Sequence, residues 1–230
     1  MGRLAETLVQ ALLPARCLLC RESLPLSSPG GVCKRCWALP SFSGPLCPRC
    51  GEPADLAPCL ECTRTPPPWE RLVAALPYQD TTRELILAFK HGQDTLAAPL
   101  ARTLHAALQA AAPVDGFCIT YVPITPFRLL ARGYNQAALL AHQLARVVGW
   151  PCRSLLVRTG GGSQRGLGRA SRKTQVSGAF RAKGPAPPRV LLVDDVVTTG
   201  ATAVACTRAL RRAGAREVWV ACVARAQKRG

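Results

Sequence analysis

Residues 190–202 read Val-Leu-Leu-Val-Asp-Asp-Val-Val-Thr-Thr-Gly-Ala-Thr. The run Val190–Val193 has no polar face, so it predicts a strand buried on both sides. Two adjacent acids follow, then a turn rich in hydroxyls and glycine, then a helix-like run, Ala203–Ala213. The turn can present successive backbone N–H groups together with the Thr198, Thr199 and Thr202 hydroxyls. Gly200 admits a backbone conformation that a Cβ resists. The helix N-terminus behind it adds partial positive charge. Val197, Thr198, Thr199, Gly200, Ala201 and Thr202 therefore form a candidate phosphate cradle. Asp194 and Asp195, at the C-terminal end of the strand, can accept hydrogen bonds from vicinal sugar hydroxyls or stand beside a hydrated Mg²⁺. The chain has no Gly-x4-Gly-Lys-Ser/Thr segment, which excludes the P-loop of nucleotide hydrolases.

Outward from this stretch the chain alternates strands and helices. Trp69–Tyr78 reads as a strand, Thr81–Phe89 and Leu96–Ala112 as helices. Phe117–Pro123 reads as a strand, Gly133–Val148 as a helix and Ser154–Arg158 as a strand. A loop rich in Gly and Arg runs to about Lys183. Glu217–Ala224 is the last strand, and the basic tail Ala224–Gly230 is expected to fray. This rhythm predicts an α/β fold with a doubly wound, mostly parallel sheet. Ligands in such sheets bind beyond the C-terminal ends of the strands, where the Asp-Asp and Thr-Thr-Gly residues fall.

The formal net charge is +17 over 230 residues. Between Asp115 and Asp194 there is no acidic residue and there are twelve basic ones. That asymmetry suits a phosphorylated substrate or nucleic acid, and charge alone does not choose. No run of about 18 apolar residues occurs, so no transmembrane helix is expected. Met1–Leu13 is interrupted by Glu6 and followed by no small-residue cleavage site, so it reads as a short amphipathic helix rather than a signal peptide. A cytoplasmic protein is expected.

Eight of the twelve cysteines form four Cys-x-x-Cys pairs: Cys17/Cys20, Cys33/Cys36, Cys47/Cys50 and Cys59/Cys62. Each pair places two thiolates on one side of a tight turn, as two corners of a Zn²⁺ tetrahedron require. A disulfide framework would need an oxidising compartment that nothing else suggests. A redox motif would bring one such pair beside a βαβ unit, not four in a loop-rich segment. Residues 14–64 are thus expected to be a module of four knuckles holding one or two Zn²⁺, the metal supplying folding free energy that the segment's few apolar residues cannot. The pairs can close in sequence, first with second and third with fourth, or crossed, first with third. Cys118, Cys152, Cys206 and Cys222 lie in apolar contexts and read as small core residues. Thr65–Pro68 is a stiff linker, and 69–230 would be the second domain.

Residues 190–202 resemble the phosphoribosyl-diphosphate (PRPP) binding loop of type I phosphoribosyltransferases. A second cluster extends the resemblance. Residues 121–136 read Tyr-Val-Pro-Ile-Thr-Pro-Phe-Arg-Leu-Leu-Ala-Arg-Gly-Tyr-Asn-Gln, a strand leading into a Pro-bounded loop with Arg128 and Arg132. Such arginines can clamp a diphosphate, or simply form a solvated basic loop. Together with the cysteine pairs, with Phe89-Lys90-His91-Gly92 and with Gln164, Leu167, Arg172 and Gly178-Ala179-Phe180, these segments look like the ComF/GntX family. The family commonly carries Asn where this chain has Gln175.

The resemblance implies a type I phosphoribosyltransferase fold behind a double zinc ribbon. It implies PRPP binding with Mg²⁺ and phosphoribosyl transfer with Asp194 and Asp195 as the catalytic acids holding the ribose hydroxyls, and the flexible loop Thr159–Lys183, with Gln164 and Arg172, is suited to close over the diphosphate and exclude water. It also implies a link to DNA uptake, with competence-machinery proteins as partners. Thr198 stands where enzymes acting on 6-oxopurines place an acid, so the acceptor is not given. The alternative is a non-catalytic zinc-ribbon protein that binds single-stranded DNA and keeps the loop as a phosphate-binding scaffold. Its stacking candidates are Trp37, Trp69, Tyr78 and Tyr134. His91, after a helix end, reads as a capping group rather than a catalytic base.

Overall fold

The computed structural model describes residues 15–25, 28–111, 115–159 and 178–227. The segment 190–202 supplies its central strand. That strand, Arg189–Val197, pairs in parallel with Glu217–Arg225 on one side and with Cys118–Tyr121 on the other. Arg71–Pro77 pairs in parallel with the outer edge of Glu217–Arg225. In chain order these are β1 (Arg71–Pro77), β2 (Cys118–Tyr121), β5 (Arg189–Val197) and β6 (Glu217–Arg225), and the sheet order is β1-β6-β5-β2. β3 (Leu156–Arg158) and β4 (Phe180–Ala182) pair with each other, antiparallel, outside this sheet.

The helices are α1 (Leu60–Arg64), α2 (Asp80–Lys90), α3 (Ala97–Ala111), α4 (Pro126–Arg132), α5 (Gln136–Val148) and α6 (Ala201–Arg212). They cover both faces of the sheet. Leu191 and Val193 of β5, with Trp219, Ala221 and Val223 of β6, pack against α2, α3 and α5. Val190 and Leu192, with Val218, Val220 and Cys222, face the other way, onto α6 and the β3–β4 pair. Successive residues of one strand thus feed two different cores. This explains why β5 reads as an unbroken apolar run rather than an alternating one.

The cysteine-rich segment joins both layers. Cys17, Leu24 and Val32 are buried in the first core. The turn that holds Cys47 and Cys50 lies against β1, where Leu72 N–H donates to Pro48 O at 2.9 Å.

Two expectations are corrected. Arg128 and Arg132 do not sit on a loop: Pro126–Arg132 is helix α4, with the Thr125 hydroxyl accepting from Arg128 N–H at 3.2 Å and Gly133 closing it at φ 77°. The short helix buries none of its own residues, so it leaves no apolar periodicity in the sequence. The basic tail also begins later than expected. Ala224 and Arg225 complete β6, and Arg225 is only 4% exposed. The Met1–Leu13 segment lies outside the described residues.

Candidate functional site

β5 carries Asp194 and Asp195 three and two residues before its end, so both acids belong to the strand itself. Asp195 is 9% exposed. Its Oδ2 lies 3.1 Å from the Lys90 Nζ at the end of α2, and its Oδ1 accepts from Val196 N–H at 2.8 Å. Asp194 Oδ1 accepts from Asp195 N–H at 2.9 Å. Burial, and then the negative charge of Asp195, push the Asp194 carboxyl well above the ordinary carboxylate range, and Lys90 opposes them. A cation or a hydroxyl-rich ligand at this point would relieve the crowding.

After Val197 the chain turns through Thr198 and Thr199, both exposed, to Gly200. Gly200 takes φ 78°, ψ 0° and starts α6. A Cβ there would also press within 3.4 Å of the Trp69 ring. The Thr199 hydroxyl accepts from Ala201 N–H at 3.4 Å. The turn places the start of a 12-residue helix directly behind the acids, which favours an anion in front of it.

A cavity of about 190 Å³ opens between these elements. Asp194, Asp195 and Thr202 line one side, and Arg128 and Arg132, one helical turn apart on α4, line the other. Arg132 Nη1 donates to Gln136 Oε1 at 3.0 Å. Asn135 caps α5 through Oδ1, which accepts from Ala138 N–H at 3.3 Å, and its Nδ2 donates to Val122 O at 3.0 Å. This pins the turn between α4 and α5 to the end of β2.

Three residues in the cavity wall escaped the sequence reading as ligand groups: Lys90, Gln136 and Arg158. Gln136 is 2% exposed, and its Nε2 has no hydrogen-bond partner among the described residues. The Arg158 Nε is likewise buried and unpartnered among them. Its guanidinium lies 5.2 Å from the centre of the Phe180 ring, and burial followed by the charge of Arg128 lowers its pKa. Unmet buried donors facing a cation-rich cavity are what a polyanionic ligand would satisfy. Lys90 stands in the Phe-Lys-His-Gly segment noted in the sequence, and that was the signal available for it. His91 does act at the helix end: its Nδ1 lies 2.8 Å from Leu87 O. Gln164 and Arg172 lie outside the described residues.

The four stacking candidates are engaged elsewhere. Trp69 is 4% exposed, and its indole N–H donates to Arg49 O at 2.6 Å. The Tyr134 hydroxyl donates to Phe89 O. Trp37 and Tyr78 are half-buried against the first core.

The eight N-terminal cysteines gather in sequence, Cys17, Cys20, Cys33 and Cys36 in one cluster and Cys47, Cys50, Cys59 and Cys62 in another. Within each, all the sulfurs lie within 4.8 Å of one another. Cys20 to Cys33 and Cys50 to Cys59 are 3.7 Å apart, close to the edge of a tetrahedron with Zn–S bonds of about 2.3 Å. All twelve cysteines are free of disulfides. Burial alone would raise Cys17 and Cys47. Backbone N–H groups aimed at their sulfurs outweigh it and bring them to about 6 and about 7, whereas burial and the neighbouring sulfurs push Cys36 up to about 12 and Cys50 up to about 11. Those donors include Cys33 N–H to Cys17 and Cys59 N–H to Cys47, each at 3.4 Å. Two structural zinc sites fit these residues.

Among the described residues no helix is long and apolar enough to cross a membrane. Residues 8–69 match the double zinc ribbon domain, and residues 135–230 match the phosphoribosyl transferase domain. The chain is 35% identical over 223 residues to the DNA utilization protein YhgH of Salmonella typhi, covering 93% of this chain and 98% of that protein. It is 34% identical over 225 residues to competence protein F of Haemophilus influenzae, covering 92% and 97%. Among solved structures it is similar to glutamine PRPP amidotransferase from B. subtilis at 23% identity and a TM-score of 0.39, over 56% of this chain and 26% of that one. A parallel sheet layered by helices, two four-cysteine clusters and near full-length likeness to YhgH and competence protein F converge on one assignment: the chain belongs to the ComF/GntX family of competence and DNA-utilization proteins, a double zinc ribbon joined to a phosphoribosyltransferase-like fold.

Proposed function

We propose that this chain binds PRPP with Mg²⁺ at the Asp194–Thr202 loop and transfers the phosphoribosyl group to an acceptor in the service of DNA utilization. One observation carries the reading: a single cavity joins a crowded pair of acids, Asp195 buried and Asp194 half-buried, to four cationic side chains and two unmet buried donors. That pairing suits a ligand with a diol at one end and a diphosphate at the other.

In this reading the 5′-phosphate sits in the Thr198–Thr202 turn, held by backbone N–H groups and the end of α6. Asp194 and Asp195 accept from the ribose hydroxyls. Lys90 fixes the Asp195 carboxylate at 3.1 Å, so its second oxygen edge is oriented before ligand arrives. Arg128, Arg132 and Arg158 face the diphosphate, and Gln136 Nε2 donates to it. The C1′–O bond breaks with its electron pair leaving on the diphosphate, whose growing charge the arginines are placed to meet. A nucleophile then forms the new bond at C1′. Mg²⁺, bound through the ligand beside the acid pair, would neutralise diphosphate charge. The protein contributes position and electrostatics. We also propose the division into a ribbon at 14–64 and a transferase-like domain at 69–230, with Gln164 and Arg172 contributing to the diphosphate end.

The test is PRPP binding and diphosphate release by the zinc-loaded protein, compared with Asp194→Asn/Asp195→Asn. Loss of both in a folded variant is expected. Unchanged affinity refutes the assignment of the acids.

One observation favours a second reading, a DNA contact beside the cavity. Phe127 on α4 is 80% exposed and adjoins Arg128. Binding of single-stranded DNA that falls steeply with salt and weakens in Phe127→Ala would support it. A flat salt response refutes it.

A further inference from the structure

The Arg225 side chain is buried and spans the gap between the second cysteine cluster and the phosphate turn. Its Nη1 donates to Val197 O at 3.1 Å and to Thr198 O, the two carbonyls that open the turn, and to Ala226 O at 2.8 Å. Its Nε donates to Cys50 O at 2.9 Å. Its Nη2 lies 2.7 Å from Glu52 Oε1. Cys50 belongs to the Cys47, Cys50, Cys59 and Cys62 cluster, and Glu52 is two residues further on. The same knuckle closes on itself through Gly51 N–H to Cys47 O at 2.9 Å and Cys47 N–H to Glu52 O at 2.8 Å.

A second strut runs alongside. Trp69 exchanges hydrogen bonds with Arg49, its indole N–H to Arg49 O at 2.6 Å and Arg49 Nη1 to Trp69 O at 2.7 Å. The far edge of the Trp69 ring lies 3.4 Å from the position a Cβ of Gly200 would take. Gly51 seats the knuckle tightly on β1: a Cβ there would fall 2.6 Å from Leu72 Cδ2. The first cluster is placed differently. Its segment meets the start of α3, where a Cβ on Gly30 would lie 3.0 Å from Pro99. Among the described residues no hydrogen bond joins it to the turn.

A buried guanidinium is stable only with its donors met and its charge paired. Arg225 divides that requirement between two elements. If the second knuckle opens, Arg225 loses Cys50 O and Glu52 together, and the uncompensated charge pulls away from Val197 and Thr198. We infer that Arg225 is a positioning residue through which the second cysteine cluster, when metal-bound, holds the Val197–Gly200 turn in its ligand-ready shape. The consequence is a coupling that acts in both directions: metal at that cluster tightens ligand binding, and ligand in the turn slows metal loss there.

The ligand arm rests on the reading of the turn as a PRPP site, so the primary readout does not use ligand. Amide hydrogen exchange of peptides spanning 196–204 is measured in the zinc-loaded full chain and in Arg225→Met, Cys62→Ser and Cys36→Ser. Arg225→Met and Cys62→Ser should speed exchange of the turn by roughly tenfold or more, the effect of losing one or two charge-assisted hydrogen bonds. Cys36→Ser, at the first cluster, should change it clearly less than Cys62→Ser does. Should Arg225→Met fail to fold, Glu52→Gln, which keeps the shape and removes the paired charge, should give a smaller change of the same sign. Equal exchange in wild type, Arg225→Met and Cys62→Ser overturns the inference, and so does an equal response to Cys36→Ser. Zinc release to a chromogenic chelator is then followed with and without PRPP and Mg²⁺. Slowing of one of two zinc ions, abolished in Arg225→Met, is the expected result. Wild-type protein that binds no PRPP would refute the proposed function while the exchange experiment still decides the coupling.

Discussion

Asp194→Asn should make the protein more stable while removing its ligand affinity. The substitution keeps the shape of the side chain, and an amide Oδ1 can still accept the Asp195 N–H now held at 2.9 Å. What it removes is a charge that burial and Asp195 both oppose. The sign follows from linkage. The carboxyl has a folded-state pKa well above the ordinary 3.8 of an aspartate, so the native state holds that proton more tightly than the unfolded chain does. Its cost is absent below about pH 3.8, grows as pH rises toward the folded value, and is complete above it. Asparagine carries no such cost at any pH. The gain at neutral and alkaline pH should be about 1–3 kcal/mol, the usual penalty of one poorly compensated buried polar group. For a chain of this size that corresponds to roughly 3–10 °C in Tm. Calorimetric melts of the zinc-loaded protein at pH 4 and pH 8, with PRPP titrations alongside, read both effects. A Tm raised at pH 8 and little changed at pH 4, with affinity lost, is the expected pattern. A fall in Tm at pH 8, or a gain of equal size at both pH values, would refute the reasoning. Stabilisation on removing a group is a mark of a site built for a ligand rather than for the fold.

Gln136→Leu fills the same space without the unmet amide donor, so it should leave the protein folded and weaken PRPP by about tenfold, read by titration. Arg158→Met should act alike at the diphosphate end; if both variants bind as the wild type does, the cavity wall does not meet the ligand. Gly200→Ala must accept φ 78° and press on the Trp69 ring, so a loss of about 1–2 kcal/mol in chemical denaturation is expected. Metal analysis should give two Zn²⁺ per chain, falling to one in Cys62→Ser; a metal-free folded wild type would refute the zinc assignment.

Much of the fold was legible because its signals are local. The apolar run of β5, the Thr-Thr-Gly turn and the four Cys-x-x-Cys pairs are each contained within a dozen residues. What escaped was long-range or lacked an apolar face. Lys90 meets Asp195 from α2, far away along the chain, and nothing near either residue marks the partnership. The helical nature of Pro126–Arg132 was carried only by its ends, Thr125 and Pro126 at the start and Gly133 at the close, because no residue of it is buried. Arg225 read as part of a frayed basic tail. Its role rests on carbonyls of Cys50, Val197 and Thr198, which a composition cannot show. The cysteine spacing allowed sequential or crossed closure. The fold decides for sequential closure, because the sulfurs of the first and second pairs gather within 4.8 Å of one another and those of the third and fourth pairs do likewise. Trp69 offered itself as a stacking platform by residue type, and its use inside the ribbon–sheet contact became evident only with Arg49 beside it.

The measurement that bears most directly on the central claim is calorimetric titration of the folded, zinc-loaded protein with PRPP, with and without Mg²⁺. The account predicts saturable binding at one site per chain that requires Mg²⁺ and disappears in Asp194→Asn/Asp195→Asn. Absence of binding in the presence of Mg²⁺, or binding indifferent to both the metal and the two acids, would contradict it.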